Sequence, residues 1–239
     1  LNKTSSTNLY LIPTPIFRQK ENVSLPQYTV SVIRKIRCFV VEKPQTALSF
    51  LQWINHPVPF HEITFRVLNK KTPDHEVFSY LKLLKEQDTG ILSEAGAPGL
   101  ADPGARLVSL AHENSIRVVP LTGPSSILLA LMGSGLNGQS FAFHGYLPIN
   151  KSGRQKMIQI LEEESSKKKQ TQIIMETPHR NDDLFRDLLS KLHPATQLCI
   201  ANNLTSPNEF LLTKTVGNWN KMKAPDFDKK PTLFLFLSK

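Results

Sequence analysis

Apolar runs of strand length alternate with stretches of helical spacing along most of this chain. That alternation restricts it to an α/β fold with many parallel neighbours. "NLYLIP" (8–13), "RCFVVE" (37–42), "EITFRV" (62–67), "GILS" (90–93) and "IRVVPL" (116–121) read as strands. A helix is expected between the third and fourth of these, capped by Thr72, with Pro73 in its first position. Val77, Phe78, Leu81 and Leu84 form its apolar stripe. "ARLVSLAHEN" (105–114) reads as a helix. "GPSSILLALMGSG" (123–135) reads as a loop running into a buried helix that ends at Gly133 and Gly135.

The pattern breaks at "GLNGQS" (135–140) and restarts. Strand "FAFHGYL", a Lys/Arg-rich helix (151–165), strand "TQIIME" and a helix (179–192) follow, then strands "QLCIAN", "FLLTKTV" and "TLFLFL". Adjacent late strands imply a mixed sheet. Two α/β domains are expected, residues 1–137 and 138–239.

Lys and Arg number 29 against 20 Asp and Glu, a formal charge of +9. An acidic partner such as nucleic acid, or a plain solvated basic surface, accounts for such an excess. Much of it sits in Lys tracts such as 167–169 and 229–230. The two cysteines, Cys38 and Cys199, form no CxxC pair, so neither a zinc site nor a disulfide framework is expected, and a reducing cytoplasm fits. No apolar run of about 18 residues exists to cross a membrane, and "LNKTSSTNLYLIP" lacks the apolar core of a secretory signal.

Three loops of small residues each follow a strand: "PTPI" (13–16), "SEAGAPGLADPG" (93–104) and "TGPSS" (122–126). Ligands of open α/β sheets bind beyond the carboxyl ends of strands, and small residues let the backbone approach them closely. The central loop matches neither GxxxxGK[ST] nor GxGxxG; its nearest spacing is Gly96 with Gly99. The central loop carries Glu94 and Asp102, with Arg106 the first cation beyond, so a neutral or cationic ligand suits it better than a phosphate. Asp102 also reads as the cap of the helix begun by Pro103. "GPSSI" is not the GxSxG elbow, HExxH is absent, and nothing links His144 or His179 to a nucleophile. His144 reads as a strand-end residue and His179 as part of a helix's first turn.

"LYLIPTPI", "SEAGAPGLADPGARLV", "RVVPLTGPSSILLAL", "FHGYLP", "ETPHR" and "ANNLT", in this order, resemble the tetrapyrrole methylase superfamily. Within it the likeness is to the ribosomal RNA small subunit methyltransferase I branch, which methylates a ribose 2′-hydroxyl. The resemblance covers nearly the whole chain. It implies S-adenosylmethionine as methyl donor, two α/β domains with the donor in the cleft between them, ribosomal RNA as partner, and a homodimer. No metal and no membrane are expected, from the cysteine spacing and the absence of a long apolar run given above. Donor contacts would come from Pro13, Thr14, Glu94, Ala95, Gly96, Ala97, Ser125 and Ser126. In the second domain they would come from Met175, Glu176, Thr177, Ala201, Asn202, Pro231 and Thr232. If the acceptor hydroxyl needs a base, Glu94, Glu42 and Glu176 are the candidates.

The chain departs from the branch where the acceptor is expected. Phe17-Arg18-Gln19 stands for Gly-Asn-Leu, Glu42-Lys43-Pro44-Gln45 for Glu-Asp-Thr-Arg, and Asn202-Asn203 for Arg-Glu. Those changes leave room for two alternatives: a methyltransferase of this fold acting on a small molecule such as a tetrapyrrole, and a non-catalytic RNA-binding relative.

Overall fold

A computed structural model describes residues 7–20, 24–101 and 103–238. The chain forms two compact units, Leu1–Ser125 and Ser126–Lys239.

The first unit is a parallel sheet. Its elements run β1 (Asn8–Ile12), α1 (Gln27–Ile33), β2 (Cys38–Val41), α2 (Pro44–Trp53), β3 (Thr64–Val67), α3 (Asp74–Glu86), β4 (Thr89–Leu92), α4 (Gly104–Glu113) and β5 (Arg117–Pro120). The strand order is β3-β2-β4-β1-β5, with every pairing parallel. Successive strand residues point to opposite faces, and the core divides accordingly. Ile12, Phe39, Val41 and Leu92 pack against Ile33 of α1 and Phe50 and Leu51 of α2. Leu9, Val40 and Ile91 pack on the other face against Val77, Tyr80 and Leu84 of α3 and Leu107 and Leu110 of α4. Gly90 gives the central strand room between two such side chains, since a Cβ there would lie 2.4 Å from Ile12 Cδ1.

Two local expectations fail in α3. Its N-cap is Pro73, without a side-chain cap bond. The Thr72 hydroxyl instead accepts the Asn69 amide at 2.9 Å, closing the preceding turn. Phe78 is exposed, and Tyr80 takes its place in the core. Tyr80 reaches the end of β3, donating to Val67 O at 2.6 Å. Asp102, the proposed cap of α4, lies outside the described residues.

The second unit contains α5 (Ser126–Ser134), β6 (Phe141–Phe143), α6 (Lys151–Lys168), β7 (Thr171–Glu176), α7 (Asn181–Lys191), β8 (Gln197–Asn202), β9 (Phe210–Thr215), α8 (Val216–Trp219) and β10 (Thr232–Leu237). Its sheet is mixed, in the order β6-β7-β10-β8-β9, with only β6 and β7 parallel. One face is covered by α6 and α7 over Ile174, Leu198, Ile200, Phe234 and Phe236. The other is covered by α5, whose Ile127, Ala130 and Leu131 meet Ile173, Cys199, Ala201, Leu233 and Leu235. That packing places α5 with the second unit, so the units divide before this helix and not after it. Gly133 lies within α5 and lets it approach β9, because a Cβ there would be 2.8 Å from Leu211 Cδ1.

Candidate functional site

In the first unit the chain leaves β1 and β4 from adjacent positions and heads to opposite faces, the topological switch point where α/β sheets bind ligands. Pro13, Thr14 and Glu94–Ala97 lie there. Thr14 N donates to Gly96 O at 2.9 Å and Gly96 N to Thr14 O at 3.0 Å, an antiparallel bridge between two loops that follow parallel strands. Gly96 holds φ 76°, the left-handed region that suits glycine.

Ser93 fastens this junction, and sequence reasoning missed it. Its hydroxyl donates to Gly96 O at 2.5 Å, and the Thr14 hydroxyl donates to Ser93 O at 3.2 Å. The "SxxG" spacing carried the signal, since a serine hydroxyl readily turns back on a backbone group a few residues away. Gly123, in the loop after β5, packs directly on Pro13; a Cβ there would lie 2.2 Å from Pro13 Cγ. Ser125, at the end of that loop, is buried. The three small-residue loops of this unit therefore gather at one sheet edge.

Glu94 is partly exposed and pairs with Lys43 at 3.5 Å. Glu42 follows β2 at the same edge and is partly buried. A narrow cavity at the ends of β1, β2 and β4 is lined by Thr14, Arg18, Thr46, Phe50, Ser93 and Glu94.

In the second unit the antiparallel setting of β10 brings its first residue to the carboxyl ends of β7 and β8. Thr232 stands opposite both Glu176 and Asn202. Met175–Thr177, Ala201–Asn202 and Pro231–Thr232 thus meet at one sheet end, and the two faces differ. Met175 and Ala201 pack on the α5 side. On the other side Thr232 Oγ1 accepts from Asn202 Nδ2 at 2.8 Å and from Asn181 Nδ2 at 3.0 Å. These side chains bond to one another through the two amide nitrogens.

Glu176 is 2% exposed. Its carboxylate accepts from Thr177 N at 2.7 Å and from Arg180 at 2.6 Å, tying down the turn before α7. A carboxylate so engaged is a positioning group rather than a free base. His179 lies in the 3-10 turn Pro178–Arg180, and His144 follows β6 with Nε2 2.6 Å from Gln172 Oε1. Ser126 opens α5.

Among the described residues, no group of three or more His, Cys, Asp or Glu could hold a metal ion. No helix among them is long and apolar enough to cross a membrane. Burial raises the pKa of both Cys38 and Cys199, which keeps these thiols protonated and unreactive.

The profile of the tetrapyrrole (corrin/porphyrin) methylases matches residues 26–219. The chain belongs to this family. Methyl transfer is accordingly its chemistry. A ribosomal RNA small subunit methyltransferase I of Vibrio cholerae is 30% identical over 223 residues, 93% of this chain and 73% of that protein. Among solved structures, a diphthine synthase superposes with a TM-score of 0.64 at 13% identity, covering 98% of this chain and 90% of its own. A cobalt precorrin-4 methyltransferase of cobalamin biosynthesis gives 0.63 at 11%, covering 99% and 97%. Those two likenesses carry the fold: two α/β units with one sheet each.

Proposed function

We propose that the protein transfers a methyl group from S-adenosylmethionine to the ribose 2′-hydroxyl of a nucleotide in small-subunit ribosomal RNA. The observation that carries this reading is the 30% identity to a ribosomal RNA small subunit methyltransferase I across 93% of the chain. The basic balance of 29 Lys and Arg against 20 Asp and Glu agrees with a polyanionic substrate.

Residues 94–97 suit such a donor. Ala95 is exposed and Ala97 half-buried, neither carries bulk, and Gly96 is locked against Thr14. Glu94 offers a carboxylate near a cationic group. S-adenosylmethionine supplies a methyl group on a sulfonium sulfur, an electrophile that needs no metal and no acylated enzyme. What remains for the protein is to hold donor and hydroxyl in line and to exclude water. Glu94 and Glu42 are the carboxylates we assign as candidates to accept the hydroxyl proton in the first unit. Glu176 serves by fixing the turn that carries Thr177. A homodimer, implied by the family resemblance, is the assembly we assign, and sedimentation of the purified protein tests it.

The function is tested with methyl-labelled donor and ribosomal RNA from cells lacking this protein. Label in small-subunit RNA is the expected result. RNA that stays unlabelled, with a donor-binding protein present, would refute the acceptor.

A further inference from the structure

We propose that Arg18 and Thr46 form an oxyanion subsite that seats a non-bridging phosphate oxygen of the RNA acceptor at the carboxyl edge of the first sheet. The inference rests on the function proposed above and names which part of the substrate this edge holds.

Arg18 lies in the loop after β1 and is fixed from two sides. Nη1 donates to Ser49 Oγ at 2.8 Å, and the guanidinium stands 6.0 Å from the centroid of the Trp53 ring. The Trp53 indole N–H donates to Gln19 O at 2.8 Å, which pins the same loop to α2. Partial burial of the guanidinium lowers its pKa from the ordinary arginine value. Yet among the described residues no carboxylate pairs with it. A desolvated cation held rigidly without a counter-ion is poised for an anion.

The cavity that Arg18 lines gives that anion a seat. Its free space is about that of a single water molecule. It therefore admits one oxygen atom and leaves the rest of a phosphate outside, where a nucleic acid strand would run. Thr46 lines the same space, and its hydroxyl makes no hydrogen bond among the described residues. Glu94 also lines it, but Lys43 stands 3.5 Å from that carboxylate and offsets its charge. The count made from the small-residue loop alone, Glu94 and Asp102 against a distant Arg106, disfavoured phosphate because it omitted Arg18 and Lys43, which other loops bring to this edge. By contrast, Lys167 and Lys168 on α6 pair with Glu163 and Glu164 one turn earlier and form a solvated, neutralised face.

The test compares wild type, Arg18→Ala, Arg18→Lys, Thr46→Ala and, as control, Lys167→Ala, each checked for folding by circular dichroism. Ribosomal RNA affinity is measured across salt concentrations, and S-adenosylmethionine affinity by calorimetry. Arg18→Ala should weaken RNA binding about tenfold and reduce the salt slope by about one phosphate. Donor affinity should stay unchanged. Arg18→Lys should recover part of the loss, Thr46→Ala should lose a few-fold, and Lys167→Ala should match wild type. An Arg18→Ala protein with wild-type RNA binding overturns the subsite while leaving the function intact. Loss of donor affinity instead overturns it in favour of the donor's carboxylate as the bound anion. A wild-type protein that neither binds nor methylates RNA overturns the functional reading and the subsite with it.

Discussion

Thr14 and Gly96 exchange two backbone hydrogen bonds, at 2.9 and 3.0 Å, so the loops after β1 and β4 form one rigid edge although their strands run parallel. Gly96 reaches this register at φ 76°, and Ser93 holds its carbonyl from the other side. Gly96→Ala should cost about 1–2 kcal/mol, the penalty of a left-handed conformation for a residue with a Cβ. It should also weaken S-adenosylmethionine binding by more than its effect on the unfolding midpoint suggests. Urea melts beside calorimetric titration check this; unchanged donor affinity would separate the bridge from the donor site.

A rigid ring fills the space above Gly123. A Cβ there would lie 2.2 Å from Pro13 Cγ and 2.6 Å from Pro13 Cβ, so the loops after β1 and β5 cannot keep their distance in a Gly123→Ala protein. The expected loss is about 1–3 kcal/mol from overpacking. Pro13→Ala should recover part of it. A double-mutant cycle with no coupling between these positions would contradict the contact.

The second unit holds a buried ion pair. Arg154 and Asp187 meet at 2.6 Å with side chains only 7% and 5% exposed. Gln155 Nε2 completes the carboxylate's hydrogen bonds at 2.7 Å. Asp187→Ala should destabilise the protein by about 3–5 kcal/mol, because it strands a buried guanidinium. The joint replacement Arg154→Met with Asp187→Leu should cost much less. Equal losses in denaturant melts would argue against an uncompensated charge as the cause.

Alkaline stability turns on Tyr80. Burial first, then the hydrogen bond to Glu76, raises its pKa to about 12 from 10.0. The folded state therefore favours the neutral phenol. Stability from this group is complete below the unfolded pKa near 10.0 and is lost as pH rises towards 12. Tyr80→Phe should be less stable at neutral pH, lacking the 2.6 Å bond to Val67 O, yet flatter between pH 10 and 12. Parallel pH profiles for the two proteins would assign the alkaline loss to other groups.

Much of this fold was legible because several of its strands are buried on both faces and read as short apolar runs; β2 and β4, with all four residues buried, are the clearest. The helices were less legible. The 27–33 and 44–53 segments begin without a side-chain cap, and Pro44, at the first position of the second, was the start signal left unused. Thr72 looked like a cap, but its hydroxyl was taken by the Asn69 turn, a local competitor invisible in a residue-by-residue reading. The small-residue loops were legible because small residues mark close backbone approach. Their chemistry was not, because it depends on long-range partners: Lys43 beside Glu94, Arg180 beside Glu176, and Trp53 beneath Arg18. The boundary expected at 137–138 followed the Gly-rich break, whereas the core contacts of α5 decide which unit owns that helix.

A methyl group on a ribose 2′-hydroxyl removes the nucleophile that cleaves the adjoining phosphodiester in alkali. The decisive measurement is therefore alkaline hydrolysis of small-subunit ribosomal RNA after incubation with the protein and methyl-labelled S-adenosylmethionine. The account predicts that the label appears in alkali-resistant dinucleotides. Label released entirely as mononucleotides, or no label in RNA at all, would contradict it.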